Sequence, residues 1–289
     1  MGGAEQSYLL IVDDLGQPIY FQPTDVVNPG ADFKKQPDGT LTWFDMSTGL
    51  HRAMDQSYQV TNTWATSGFP TTDMHELQVM TNGTALMMSY NIVPVDLSAH
   101  GGMTNAIVWD IVVQEQDELK NPVFTWSGLD HLPITTTYES LTGSIADVYH
   151  GNAIERDTDG NLLLSNRHTA QIVKINRATG NVMWKLGGKE NEFTFVNDTG
   201  FSYQHDIRRL ENGHITLFDN GNPHEGFPAQ RSIRAQWSMK SMKSPRSLPG
   251  SGNTGATPIF TDSSWATSSV CPTETPSLAG AARPRSDQR

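Results

Sequence analysis

Apolar and polar residues alternate along most of this chain in short runs, and no long segment carries apolar residues at helical spacing. The runs YLLIVDDLGQPIYF, LQVMTNGTALMMSY, NAIVWDIVVQ, AIERDTDGNLLLSN, AQIVKINRATGNVMWKL and DIRRLENGHITLFDN each read as a strand or a hairpin. Asn-Gly, Asp-Gly and Thr-Gly pairs punctuate them, and in each the glycine supplies the positive φ that a tight turn demands. The pattern predicts an all-β chain with a strand about every ten residues.

The hairpins repeat. Aligned on Gly39, Gly83, Gly160 and Gly213, each has an apolar strand upstream, then one polar residue and an apolar run: TLTWF, TALMM, NLLLS, HITLF. The glycines lie 44, 77 and 53 residues apart. Repeats of about 40–50 residues with several strands each predict a β-propeller. The longer middle spacing predicts an insertion around SGLDHLPITTTYESLTGS, residues 127–144.

Three histidines share one place in this repeat. His75 and His205 each precede their turn glycine by eight residues, and His150 precedes Gly160 by ten, in a longer turn; the first repeat has Ala31 there. The innermost strands of a propeller line a central channel, so equivalent positions point at one another. The bland alternative is a histidine tying each strand end to a neighbouring carbonyl. Arg167, seven residues past Gly160, fits a surface ion pair or the same site. By alternation His168 falls on the opposite face. His51, His100, His131, His214 and His224 read as loop or outward positions.

Composition narrows the choices. The 289 residues suffice for a sizeable core, with 36% hydrophobic residues and a net charge of −11. The charge is uneven: residues 231–289 hold 8 Lys/Arg against 3 Asp/Glu, whereas residues 1–230 carry a net −16. An acidic body argues against nonspecific nucleic-acid binding. No run reaches the roughly 18 apolar residues of a membrane helix, and MGGAEQSYLLIVDDLGQ shows no signal-peptide pattern. The single Cys271 excludes an internal disulfide and a cysteine metal cluster. The triplets at Asn82 and Asn197 permit glycosylation. Residues 231–289, rich in Ser, Thr, Pro and Gly, predict a low-complexity, disordered tail or a departure from the original reading frame near Gln230, leaving residues 1–230 as the folded unit.

Competing motifs fail. Glu155, Asp157, Asp159 and Gly160 begin like a calcium loop, but Asn166 stands where its closing Glu belongs. KLGGKEN lacks the hydroxyl after Lys189 that a phosphate loop needs. Three histidines could hold zinc, although an arginine beside them favours an anion.

HGNAIERDTDGNLLLSNRHTAQIVKINRATGNVMWKLGGKENEF and FSYQHDIRRLENGHITLFDNG, with MHELQVMTNGTALM and ADFKKQPDGTLTWFD before them, resemble the arylsulfotransferase (ASST) family, especially its fungal branch. The resemblance covers about residues 8–225. It implies a six-bladed β-propeller, of which about four blades are recognisable here, so that the chain is expected to be truncated. It implies transfer of a sulfuryl group from a phenolic sulfate ester to a phenol through a sulfohistidine, with no nucleotide donor and no cofactor. Carried over by position, the nucleophile matches His205, and the assisting groups match His75, His150 and Arg167. The family also implies a secreted or extracytoplasmic protein. The alternative is a noncatalytic propeller that binds small anions or protein partners.

Overall fold

In a computed structural model the described residues are 6–195, 199–226, 236–242 and 259–262. A two-stranded hairpin, β1 (Tyr8–Val12) and β2 (Pro18–Pro23), precedes four sheets. The first sheet is the meander β3 (Gly30–Lys35), β4 (Leu41–Asp45), β5 (Leu50–Met54), β6 (Val60–Trp64). The second is β7 (Thr71–Val79), β8 (Ala85–Val95), β9 (Ala106–Gln116) and β10 (Pro122–Ser127), with β11 (Ile145–Asp147) added parallel to β9. The third is β12 (Gly151–Arg156), β13 (Leu162–Asn166), β14 (Gln171–Ile175), β15 (Val182–Gly187). The fourth holds β16 (Thr194–Phe195), β17 (His205–Arg209), β18 (Ile215–Asp219), β19 (Gln236–Met242) and β20 (Ile259–Asp262), with β16 parallel to β20. The described residues include no α-helix, hence none long and apolar enough to cross a membrane.

Four successive antiparallel meanders, stacked face to face, make a β-propeller-like architecture. Strands β3, β7, β12 and β17 are each the first of their meander, and they lie side by side in that order. The sheets form an open arc rather than a closed ring among the described residues.

Each predicted turn glycine holds the expected geometry. The φ values are 90° at Gly39, 79° at Gly83 and Gly160, and 83° at Gly213. Each glycine N–H donates to the carbonyl three residues earlier at 2.9 Å.

The core lies between the sheets. Leu86, Met88, Ile111, Val113 and Trp126 of the second sheet pack on Ile154, Leu162, Leu164, Val173 and Ile175 of the third. Leu163, Ile172 and Trp184 face Ile207, Ile215 and Leu217 of the fourth. Strand β13 therefore buries both faces, which is why LLLS reads as a continuous apolar run rather than an alternating one.

The insertion at residues 127–144 runs from the end of β10 through a 3-10 turn (Ile134–Thr136) to β11. Strand β9 is long enough for two partners on one edge: β10 pairs with Val112–Gln116 and β11 with Ile107–Trp109. That return path sets Asp147, and then His150, against the start of β12. Of the expected tail, residues 236–242 and 259–262 are strands; residues 231–235, 243–258 and 263–289 lie outside the described residues.

Candidate functional site

The first strand of every meander is irregular at the position of the repeat histidine. Register breaks fall between Ala31 and Lys34, Thr72 and Leu77, Gly151 and Ala153, and His205 and Arg208. Non-glycine residues with positive φ occur within or just before three of these breaks: Asp32 (50°), His150 (48°) and Asp206 (56°). Such conformations cost roughly 1–3 kcal/mol each and persist where surrounding structure enforces them. A bulge re-aims side chains that an even strand would send to alternating faces.

The bulges bring the three histidines together. The ring centroids of His75 and His150 are 5.4 Å apart, and those of His75 and His205 are 6.4 Å apart. Arg167 lies in the turn after β13; its backbone N–H donates to the His150 carbonyl at 2.9 Å. Its guanidinium stands 4.5 Å from the centroid of the Tyr203 ring, two residues before His205. All four residues singled out in the sequence thus sit at one end of the first strands.

His168 was expected on the opposite face, and the structure corrects this. Its ring lies 4.5 Å from that of His150. Strand β13 ends at Asn166, so Arg167 and His168 belong to a turn in which strand alternation no longer holds. Two further histidines are not bland loop positions. His51 is fully buried on β5 and bonds through Nε2 to the Asp73 carbonyl at 3.0 Å. His224 stacks on Tyr138 at 3.7 Å beside the site.

Every histidine of the cluster is held at Nδ1. His75 meets the Asp73 carboxylate at 3.0 and 3.1 Å. His150 meets the Asp147 carboxylate at 2.6 Å, and His168 meets the Asp147 backbone carbonyl at 2.7 Å. His205 meets the Tyr203 carbonyl at 3.1 Å and the Asn220 amide oxygen at 2.8 Å. All these partners are oxygen acceptors, so in the neutral ring the proton sits on Nδ1 and Nε2 carries the lone pair. Burial pushes Asp73 up, but the charge and hydrogen bonds of His75 outweigh it and hold the carboxyl below its ordinary value. Burial, with the charge of His150 second, lowers the pKa of His168. The orienting groups Asp73 and Asp147 were legible only as the spacings Asp-x-His and Asp-x-x-His; Asn220, across the β17–β18 hairpin, left no local signal.

Further along the same strands lies a layer of partly buried charge around the buried Glu76. Lys34 pairs with Asp32 at 2.8 Å and with Glu76. Arg208 pairs with Glu76 and Asp206, each at 2.7 Å, and lies 3.8 Å from Glu155. Burial, only partly offset by Lys34, raises the Asp32 carboxyl to about 7. Lys34, Glu76, Glu155 and Arg208 help line a cavity of about 270 Å³.

Asp147, His150 and His168 each offer one ligand atom within 4.8 Å of the others and could hold a divalent cation. The cluster otherwise pairs lone-pair nitrogens with a guanidinium, which suits a reacting anion.

Comparison with solved structures finds low-identity likenesses. A Bacteroides caccae protein of unknown function is 12% identical, over 76% of this chain and 64% of that one, with a TM-score of 0.45. A streptogramin B lyase is 12% identical over 67% and 49%, with a TM-score of 0.41. The selenomethionine-substituted virginiamycin B lyase from Staphylococcus aureus is 10% identical over 73% and 55%, with a TM-score of 0.37. The chain thus covers less than two thirds of the length of each. No curated protein matches it. The family model described as Arylsulfotransferase (ASST) matches residues 38–249, past residue 230 where the alternation in the sequence stops. That match spans the first strands of the second, third and fourth sheets and the whole histidine cluster, and the chain belongs to the arylsulfotransferase (ASST) family.

Proposed function

We propose that the chain transfers a sulfuryl group from an aryl sulfate to a phenol, with His205 as the covalent carrier. The division of partners at Nδ1 supports this reading. His75 and His150 donate Nδ1–H to carboxylates, which hold each ring in the orientation that proton transfer at Nε2 needs. His205 donates instead to a carbonyl and an amide oxygen, which orient the ring without placing a carboxylate at Nδ1. Its Nε2 lone pair, on the side of the ring away from these partners, is the nucleophile.

In the first half-reaction His205 Nε2 attacks sulfur and the S–O bond to the aryl group breaks. The departing phenolate takes a proton from the imidazolium of His150, with His75 as its neighbour in the cluster. In the second, the acceptor phenol returns a proton to that imidazole while its oxygen attacks sulfur, and the N–S bond breaks to restore His205. The Arg167 guanidinium binds the nonbridging oxygens in its fork. Loss of such a donor costs about 2.7–4 kcal/mol of barrier.

The test is release of 4-nitrophenol from 4-nitrophenyl sulfate in the presence of a phenol acceptor. The full chain is expected to release it and to sulfate the acceptor, and His205→Ala to do neither. Equal rates in the two proteins would end the proposal. The Asp147, His150 and His168 group favours a second reading, a metal-dependent hydrolase. That reading predicts one bound zinc per chain and activity abolished by a chelator.

A further inference from the structure

The insertion at residues 127–144 brings chemistry to the site that the transfer steps leave unused. Its second half is fastened there. The Tyr138 N–H donates to the His168 carbonyl at 2.9 Å, and Thr137 Oγ1 donates to the same oxygen at 3.4 Å. Lys189 Nζ donates to the Thr135 and Thr137 carbonyls at 3.1 and 2.6 Å. The Tyr203 hydroxyl donates to Glu139 Oε1 at 2.5 Å. Burial first, then this bond to Glu139, raises the Tyr203 phenol to about 12, so it remains a neutral donor.

So fastened, the insertion completes a row of rings. From the cluster outward, His150 lies 4.5 Å from His168, His168 lies 6.1 Å from Tyr203, Tyr203 lies 6.1 Å from His224, and His224 stacks on Tyr138 at 3.7 Å. Two cations flank the row: Arg167 at 4.5 Å from the Tyr203 centroid and Lys189 at 4.9 Å from that of Tyr138. Tyr138, His168 and His224 are each partly exposed, so the row borders solvent along part of its length.

We propose that this row is the aryl-binding wall of the site, with Tyr138 as its specificity-determining residue. A phenyl sulfate would lay its ring along Tyr138, His224 and Tyr203, while its sulfuryl group lies among Arg167, His150 and His205. Aromatic rings attract one another at such spacings beyond what buried area supplies. The two cations add attraction for an anionic aryl group on a body whose net charge is negative. The hydrogen bonds that fasten the insertion fix the wall in advance, which limits the ordering cost of binding. An alkyl sulfate would share the anion contacts and forgo the stacking. The wall rests on the sulfuryl-transfer reading for the identity of the anion, and on the rings alone for the preference for an aromatic group.

Binding without turnover tests it. In the His205→Ala background, calorimetry compares 4-nitrophenyl sulfate with n-hexyl sulfate. The wall predicts tighter aryl binding, an aryl affinity about tenfold weaker in Tyr138→Leu, and hexyl affinity unchanged. Tyr138→Phe should restore the aryl preference, and Lys189→Ala, which unfastens the insertion, should weaken aryl binding in the same direction. Equal affinity for the two ligands, equal losses for both in Tyr138→Leu, or an aryl preference that survives in Tyr138→Leu would each overturn the wall. A Tyr138-dependent aryl preference without any transfer by the parent would uphold the wall and sink the reaction. Transfer with an unchanged KM for 4-nitrophenyl sulfate in Tyr138→Leu would do the reverse.

Discussion

Asp147 shows how much of the site depends on single residues. Its carboxylate holds Nδ1 of His150 and its carbonyl holds Nδ1 of His168, so one residue sets the tautomer of two rings. Replacing it by alanine leaves His150 able to turn and to carry its proton on either nitrogen. Because general acid–base catalysis is worth about 10²–10⁴-fold, Asp147→Ala is expected to lower kcat by about 100-fold or more with little change in KM. Asp147→Asn keeps an oxygen acceptor and should recover part of the loss. Steady-state kinetics of the three proteins decide this, and an unchanged kcat in Asp147→Ala would remove Asp147 from the account. The residues proposed to react were more legible in the sequence than those that orient them. His75, His150 and His205 stand in register with turn glycines, and Arg167 ends a visible hairpin. His168 departs from strand alternation because β13 ends at Asn166 and the turn after it sets its own geometry. Asn220 reaches His205 across a hairpin, a pairing that only the folded register creates.

Among elements, the hairpins were readable because a turn glycine with positive φ is a local requirement that the chain must spell out. The bulges of the first strands were not, since the residues at the register breaks share no type that would announce them. The contact between β5 and β7 shows the same limit. His51 has the look of an outward polar residue, yet it is fully buried and bonds to the Asp73 carbonyl behind His75. Burial lowers its pKa to about 4. The unfolded chain takes up a proton near pH 6.5 that the folded chain refuses until about pH 4. His51 therefore contributes stability that is present above pH 6.5 and is lost as pH falls toward 4, about 3 kcal/mol in all. The raised carboxyl of Asp32 works in the opposite direction over part of that range, so the comparison must be differential. Urea midpoints are expected to fall more steeply between pH 6.5 and 4 in the parent than in His51→Gln, which keeps a donor for the carbonyl. Parallel curves would show that His51 does not titrate in this way.

In the whole molecule, four sheets and three buried interfaces hold the first strands in an arc whose concave edge carries two layers of chemistry. Histidines and Arg167 form one layer, and the paired charges of Asp32, Lys34, Glu76 and Arg208 form the next. Glu76 is buried between the partly exposed Lys34 and Arg208; leaving a buried charge unpaired typically costs about 3–5 kcal/mol, so the second layer fixes the strands that bear the first. The propeller-like class and the insertion were legible from the spacing of glycines. The path of the insertion along β9, which delivers Asp147 and Tyr138 to the site, was not, because a parallel strand added to an occupied edge has no repeat to announce it.

His205 is proposed to carry the sulfuryl group covalently. The most direct test is intact mass after brief exposure to 4-nitrophenyl sulfate without acceptor, quenched without acid. A covalent carrier at His205 predicts a gain of about 80 Da, one SO₃ group, on the parent and none on His205→Ala. The same gain on both proteins, or on neither while 4-nitrophenol is released, would contradict it.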